Sequence, residues 1–443
     1  MTAGGTGPGG GAPGRGELAR VREALAAARG KRRLDLILDA PDPGALVRAL
    51  PADELYFTIR EIGLADAAEL VRLASPSQFR TFVDLDAWRG DRMEPGRVLP
   101  WLRAGRAGAR GDEALEQAWR RKLAALDIEL LELVLRSSLV IHDLERDPDP
   151  EIESDRFLRT TEGKFILEFP GEGVDYLAVR GLVDDLYAED PMRAARLLEA
   201  VRWELPGELE ETALRWRTGR LHDLGYPPRE EALSWFARPA ARPQALPGAP
   251  GRPPGFFLEL RVPGSLLARA ADRLPEGERE ALELELVAAA NATMVADAVD
   301  PGDLDAVRLA VASSRALVEL GLERLAAGAG DPAGRAAEIL RSAPVKAVFQ
   351  QGFGRLLELR WRAEKVLAAG KGPLGPPLDE LLRALARRRP LYFPGVEAPR
   401  EEWGSPAAGA FEARPFLSPA DLARAGEALD AAEERAGIPH PSA

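Results

Sequence analysis

The sequence predicts a mainly α-helical protein: stacked short helices forming a superhelical N-terminal part, a helical C-terminal part and a small antiparallel β-sheet. Three observations lead there. Apolar residues recur at three- and four-residue spacing through most of the 443 residues. Near the N-terminus this pattern comes in short pieces divided by Pro and Gly. At 164–169 and 256–262 the spacing changes to strict alternation, the period of a strand.

Composition sets the limits within which these elements must pack. At 46% hydrophobic and 29% charged, the chain is globular and long enough for more than one core. Acidic residues outnumber basic ones by 71 to 59, which excludes a nucleic-acid binder whose whole surface is basic. Six of those 59 are lysines, so the other fifty-three are arginines; with a single asparagine this skew resembles GC-rich coding, and an arginine carries less functional weight than usual. The absence of cysteine excludes disulfides, thiolate nucleophiles and iron–sulfur ligation, and suits a cytoplasmic protein. No apolar run reaches the length that spans a bilayer, so no direct membrane insertion is expected.

Residues 1–16, MTAGGTGPGGGAPGRG, are expected to be a disordered tail, because glycine at this density loses too much backbone entropy on ordering. A helical repeat-like domain is expected over 17–144. Its first helix carries Leu18, Val21, Leu25 and Ala28 on one face. Pro51 and Pro76 stand where a first helical turn tolerates a missing N–H, and Ser75 is placed to cap the helix that starts at Pro76. Leu55, Ile59 and Ile62 form one stripe, Leu70 and Leu73 a second, and Phe79, Phe82 and Val83 a third. Helices this short are marginal alone and must stack on their neighbours.

Between Leu50 and Leu85 the helices opening at PADEL, LADAAEL and SPSQF resemble the short-helix cytosolic N-terminal domain of MgtE-type magnesium transporters. The whole chain also looks like an uncharacterised bacterial family of unknown function that carries such a region. The resemblance implies a superhelical fold. It implies no activity, and no residue is carried over, because the sequence shows neither the transmembrane helices nor the nucleotide-sensing module of the transporter.

One longer helix is expected from Asp112 to Leu144, with His142 in its last turn, where the macrodipole favours a cation. An acidic connector, 145–155, follows. Residues 156–236 are read as a β-hairpin and helices, with strands 157–161 and 164–169 joined by a turn at Glu162-Gly163. A proline-rich linker occupies 237–255, and 256–436 is a strand and helical domain closed by a tail, 437–443. The strand 256–262 is expected to join the hairpin as its third strand, because a two-stranded hairpin is marginal in water.

The stretch LVIHDLERDPDPEIESD, 139–155, places a carboxylate at every second position from Asp143 to Asp155 beside one of only three histidines. On one strand these groups could flank a hard cation. Pro148 and Pro150 instead favour polyproline geometry, whose period of three scatters them, and the glycine of a calcium loop is missing. The stretch is therefore read as a solvated connector. His222-Asp223 suggests a metal-dependent phosphohydrolase, but that chemistry needs more histidines than the chain supplies; His142 and His222 are both read as helix-terminal. GKG at 370–372 and GFG at 352–354 lack the context of a phosphate loop. Arg387, Arg388 and Arg389 are read as the cationic end of a helix, and Trp203, Trp216 and Trp235 as core or groove residues.

No catalytic, cofactor-binding or metal-binding residue stands out, and no cofactor is expected. Two functions remain. The first is a protein–protein interaction or scaffold module that holds another protein and no nucleic acid, with its oligomeric state open. The alternative is an enzyme or small-ligand-binding protein with a site between the helical part and the small sheet, drawing on Glu168, Asp175, His222 and Asp223. The first is preferred because acid–base chemistry at neutral pH most often uses histidine, and this chain has three.

Overall fold

A computed structural model describes Leu25, Ala28 and residues 30–170, 175–238, 262–370 and 372–438. Helix dominates them, beside two small antiparallel sheets, the first a pair of two-residue strands, β1 Trp88–Arg89 and β2 Arg92–Met93. The chain divides into two compact units, one of Met1–Val83, Gly96–Asp127 and Val134–Glu199, the other of Asp84–Pro95, Ile128–Leu133 and Ala200–Ala443.

Among the described residues, the first unit contains the helices Gly30–Leu38, Pro43–Ala49, Ala52–Ile62 and Ala68–Leu73 and most of Pro76–Asp86. Their starts are set by local chemistry. Asp42 accepts the amide of Ala45 in front of Pro43. At SPSQ, the Gln78 amide donates to Ser75 Oγ at 3.2 Å while the Ser75 amide donates to Gln78 Oε1 at 2.8 Å, a reciprocal capping box. The Gln78 side chain also donates to the carbonyls of Val47 and Leu50, both at 2.8 Å, which ties one helix start to the end of another. Leu55, Ile59, Leu70, Phe79, Phe82 and Val83 of the sequence stripes are fully buried. Trp101 packs against Tyr56 and Phe82 with ring centroids 5.9 and 5.4 Å away, and Phe79 meets Trp119 edge-on at 5.7 Å.

Asp53, in the first turn of Ala52–Ile62, is buried, and burial pushes its carboxyl up to about 7. Hydrogen bonds from the Glu54 and Asp53 amides act in the opposite direction, and the Glu54 charge adds to the rise. Between the ordinary value of 3.8 and about 7 the unfolded chain has lost this proton while the folded chain keeps it. Stability therefore falls as pH rises through that window. Asp53→Asn is expected to flatten the fall and to stabilise the protein at pH ~8 by about 2–4 kcal/mol. Urea denaturation at several pH values checks this, and an unchanged slope would contradict it.

The single helix expected over 112–144 is instead Glu113–Ala124, Ile128–Ser138 and a strand, β3, Val140–Asp143. Asp112 caps the first helix by accepting the amides of Ala114 and Leu115. At 140–143 strand pairing overrides the helical spacing. The sheet order is β3-β5-β4, with β4 Phe157–Arg159 and β5 Phe165–Glu168, all antiparallel, and Gly163 in the turn at φ +75°. Strand 140–143, which the sequence reading did not expect, thus supplies a third strand; residues 256–261 of the strand expected there lie outside the described residues, and Val262 is exposed and belongs to no strand. Phe165, Leu167 and Phe169 bury one face of β5, as their alternation predicts.

In the second unit the helices Leu304–Leu325 and Val345–Ala368 cross at Gly321 and Gly352. The GFG of 352–354 is therefore mid-helix. The carboxylate of Glu319, buried on Leu304–Leu325, accepts the amides of Leu266 and Leu267 at 2.5 and 2.8 Å and so holds the start of Leu266–Ala271. Arg389 follows the helix Leu378–Leu385 and reaches a different helix end: it donates to the carbonyl of Ala296 at 2.9 Å, pairs with Asp297 and covers the ring of Phe236. Among the described residues no helix is long and apolar enough to cross a membrane.

Candidate functional site

His142 belongs to β3, two positions from Val140, which faces Glu168 of β5; His142 itself faces Ile166. In an antiparallel pair such diagonal residues share one face. The register therefore brings together two side chains 26 positions apart, and His142 Nε2 lies 2.7 Å from Glu168 Oε2. His142 is a strand residue, so the helix-terminal role expected of it is replaced by a cross-strand pairing; the pairing partner, absent from the local sequence, is the reason.

The other oxygen of Glu168 is equally engaged. Oε1 accepts the amides of Glu153 and Ser154 at 2.8 and 2.7 Å, and Ser154 Oγ donates to the carbonyl of Phe169 at 2.6 Å. Burial pushes the Glu168 carboxyl up, and hydrogen bonds from His142 and from the Ser154 and Glu153 amides outweigh it, leaving the group below its ordinary value. The end of the acidic connector is thereby clamped to the sheet. Beside the clamp is an open hollow of about 670 Å3, into whose rim Glu151, Glu153 and Asp155 also fall.

The carboxylates at 145, 147, 149, 151, 153 and 155 are exposed, as a solvated connector requires, while Asp143 is buried at the end of β3 and accepts the amide of Glu145. Among the described residues no group of three or more His, Asp or Glu is arranged to hold a metal ion. Asp175 caps the helix Tyr176–Glu189 through the amide of Ala178 and accepts from Arg103 at 2.9 Å. His222 and Asp223 end the helix Pro206–Asp223, both exposed, in the helix-terminal place expected of His222. Glu168 and Asp175 belong to the first unit and His222 and Asp223 to the second, so neither unit gathers all four.

The tryptophans separate by environment. Trp235 is core, edge-on to Phe349 at 5.5 Å. Trp203, Leu205 and Trp216 of the second unit are 55, 61 and 52% exposed. The guanidinium of Arg202 lies over the Trp203 ring at 5.5 Å and that of Arg215 over the Trp216 ring at 5.6 Å. Their outward position was legible at one point: Leu209, Ala213 and Leu221 are the buried residues of the helix, spaced by multiples of four, and Trp216 stands off that stripe.

No curated protein and no solved structure matches the chain. The model of a family of unknown function (DUF6178) matches residues 14–437, nearly the whole length, and the chain belongs to that family.

Proposed function

We propose that the protein is an interaction module, a scaffold that holds another protein. The observation that carries this reading is the segment 203–216 of the second unit, where two tryptophans and a leucine stand more than half exposed with arginines stacked on the rings. Large aromatic side chains and arginine are the residue types enriched where proteins bind one another, and exposing them without a partner forgoes their burial. A catalytic reading has less support, because both oxygens of Glu168 are occupied by the clamp.

The short helices between Ala52 and Asp86, six to eleven residues each, support the likeness to the cytosolic domain of MgtE-type transporters as part of the same proposal. Stacks of such helices present extended surfaces to partners. Affinity capture from the native cell, with the full chain and its Trp203→Ser/Trp216→Ser variant side by side, tests the function. A stoichiometric protein is expected with the former and at least about tenfold less of it with the latter, in keeping with the loss of about 1.4 kcal/mol or more at an aromatic anchor. Equal recovery by both would contradict the assignment of this segment.

A further inference from the structure

The helix Pro206–Asp223 carries an arginine where its packing calls for an apolar residue. Leu209, Ala213 and Leu221 are buried at multiples of four residues, and the position that completes the stripe is Arg217. Arg217 is half-buried there, and a guanidinium so placed gives up part of its hydration, which partners must return. Arg217 is supplied with few. Its Nε donates to the backbone carbonyl of Asp84 at 2.7 Å, and its guanidinium lies 5.3 Å from the centre of the Trp88 ring. The nearby carboxylate of Asp84 is taken by Arg220, whose Nε and Nη2 donate to it at 2.7 and 2.8 Å. The terminal nitrogens of Arg217 have no acceptor among the described residues. Burial lowers Arg217 to about 10, against the charges of Asp84 and Asp91, with Arg220 adding to the fall.

This guanidinium borders a hollow of about 160 Å3 that lies within the second unit. Leu214, Leu221, Met294 and Val299 give it apolar walls. Trp88 lines it too; that ring is 2% exposed, and its indole N–H is buried with no hydrogen-bond partner among the described residues. A charged donor with spare N–H groups therefore stands at this small space, and an unpartnered indole N–H lies buried in the residue beside it.

The wall opposite the helix is unusual as well. Ala298 lines the hollow at φ +51°, the one non-glycine residue with positive φ among those described. It ends the helix Glu276–Ala296 in a Schellman turn, in which the Val299 amide donates to the Met294 carbonyl at 2.9 Å and that of Ala298 to Val295 at 3.2 Å. Glycine fills this position without strain, whereas alanine keeps a methyl on the wall at a conformational cost. Of the charged groups at the hollow, Arg89 and Asp300 pair with each other at 2.6 Å. The charge of Asp91 acts on Arg217, and Arg229 is exposed.

We propose that this hollow binds a small monocarboxylate with a ring-sized apolar body. The carboxylate accepts from the terminal nitrogens of Arg217, and the body rests on Leu214, Leu221, Met294 and Val299. Guanidinium matches carboxylate geometry with two parallel hydrogen bonds, and the low-dielectric walls strengthen them. An apolar cavity of about 150 Å3 holds one benzene ring, which sets the size of the body. Asp91 disfavours a second negative charge. This site is separate from the proposed interaction role, and either can fail alone.

Calorimetric titration of the full chain with benzoate and with the neutral isostere benzamide tests the proposal. Benzoate is expected to bind at least tenfold more tightly than benzamide. Arg217→Met, shown to be folded by circular dichroism, is expected to lose at least tenfold in benzoate affinity, and Leu214→Trp, which fills the space without touching the charge, to lose it as well. Equal binding of acid and amide, no heat with benzoate in the millimolar range, or undiminished affinity in either variant would overturn it. Should Arg217→Met fail to fold, the acid–amide comparison and Leu214→Trp decide.

Discussion

Gly352→Ala is expected to cost the second unit at least about 3 kcal/mol, at or beyond the upper end of ordinary overpacking. A Cβ at 352 would stand 1.8 Å from the carbonyl oxygen of Leu317 and 2.8 Å from its carbon, and one at 321 would stand 1.9 Å from the carbonyl oxygen of Val348. These obstacles are backbone, so no side-chain rotation relieves them. The helices Leu304–Leu325 and Val345–Ala368 would have to separate, and neighbours such as Val348, Phe349 and Phe353, all buried, would lose the contacts that close packing gives them. Gly426→Ala, within Pro419–Arg435, is the control: nothing lies within 4 Å of a Cβ there, and a gain of about 0.5–1 kcal/mol is expected from the better helix former. Chemical denaturation of both variants checks the pair, and similar stabilities would contradict the crossing.

Glu168→Ala is expected to destabilise the first unit by about 3 kcal/mol, because it leaves the amides of Glu153 and Ser154 and the ring of His142 without the acceptor they share. Hydrogen exchange at the Glu153 and Ser154 amides should accelerate well beyond the rest of the unit, since the connector loses its anchor to β5. The pH response has a definite sign. A carboxyl held below its ordinary 4.5 contributes stability that is present above that value and is lost as pH falls through the folded value. Glu168→Gln should therefore lose stability near neutrality and show a shallower acid-side decline than the unmodified chain. Unaltered exchange at 153 and 154 would show that the clamp does not hold the connector.

Much of the helical architecture was legible because its causes are local. The SPSQ capping box, the proline starts and the three- and four-residue stripes through Leu55, Leu70 and Phe79 all act within one or two turns. Phe165, Leu167 and Phe169 were legible by alternation. Strand β3 was not, since Leu139 continues the apolar spacing of the helix before it, and only pairing with β5 distinguishes Val140–Asp143 from another helical turn. The same pairing makes the His142–Glu168 contact, which sequence distance hides. Gly321 and Gly352 read singly as helix-weakening residues; their purpose emerges only when each is seen against the other helix's backbone. The stripe that Arg217 completes was visible in the sequence, but the capture of Asp84 by Arg220, which leaves Arg217 its spare donors, was not.

The most direct test of the interaction role is a photo-crosslinking amino acid placed at position 216 of the full chain in its native cell, with the exposed position 280 of the helix Glu276–Ala296 as the control. One predominant protein crosslinked from 216 and absent from 280 is the expected result. Crosslinks equally sparse and heterogeneous at the two positions would contradict the account, because Trp216 would then be an exposed ring that no partner covers.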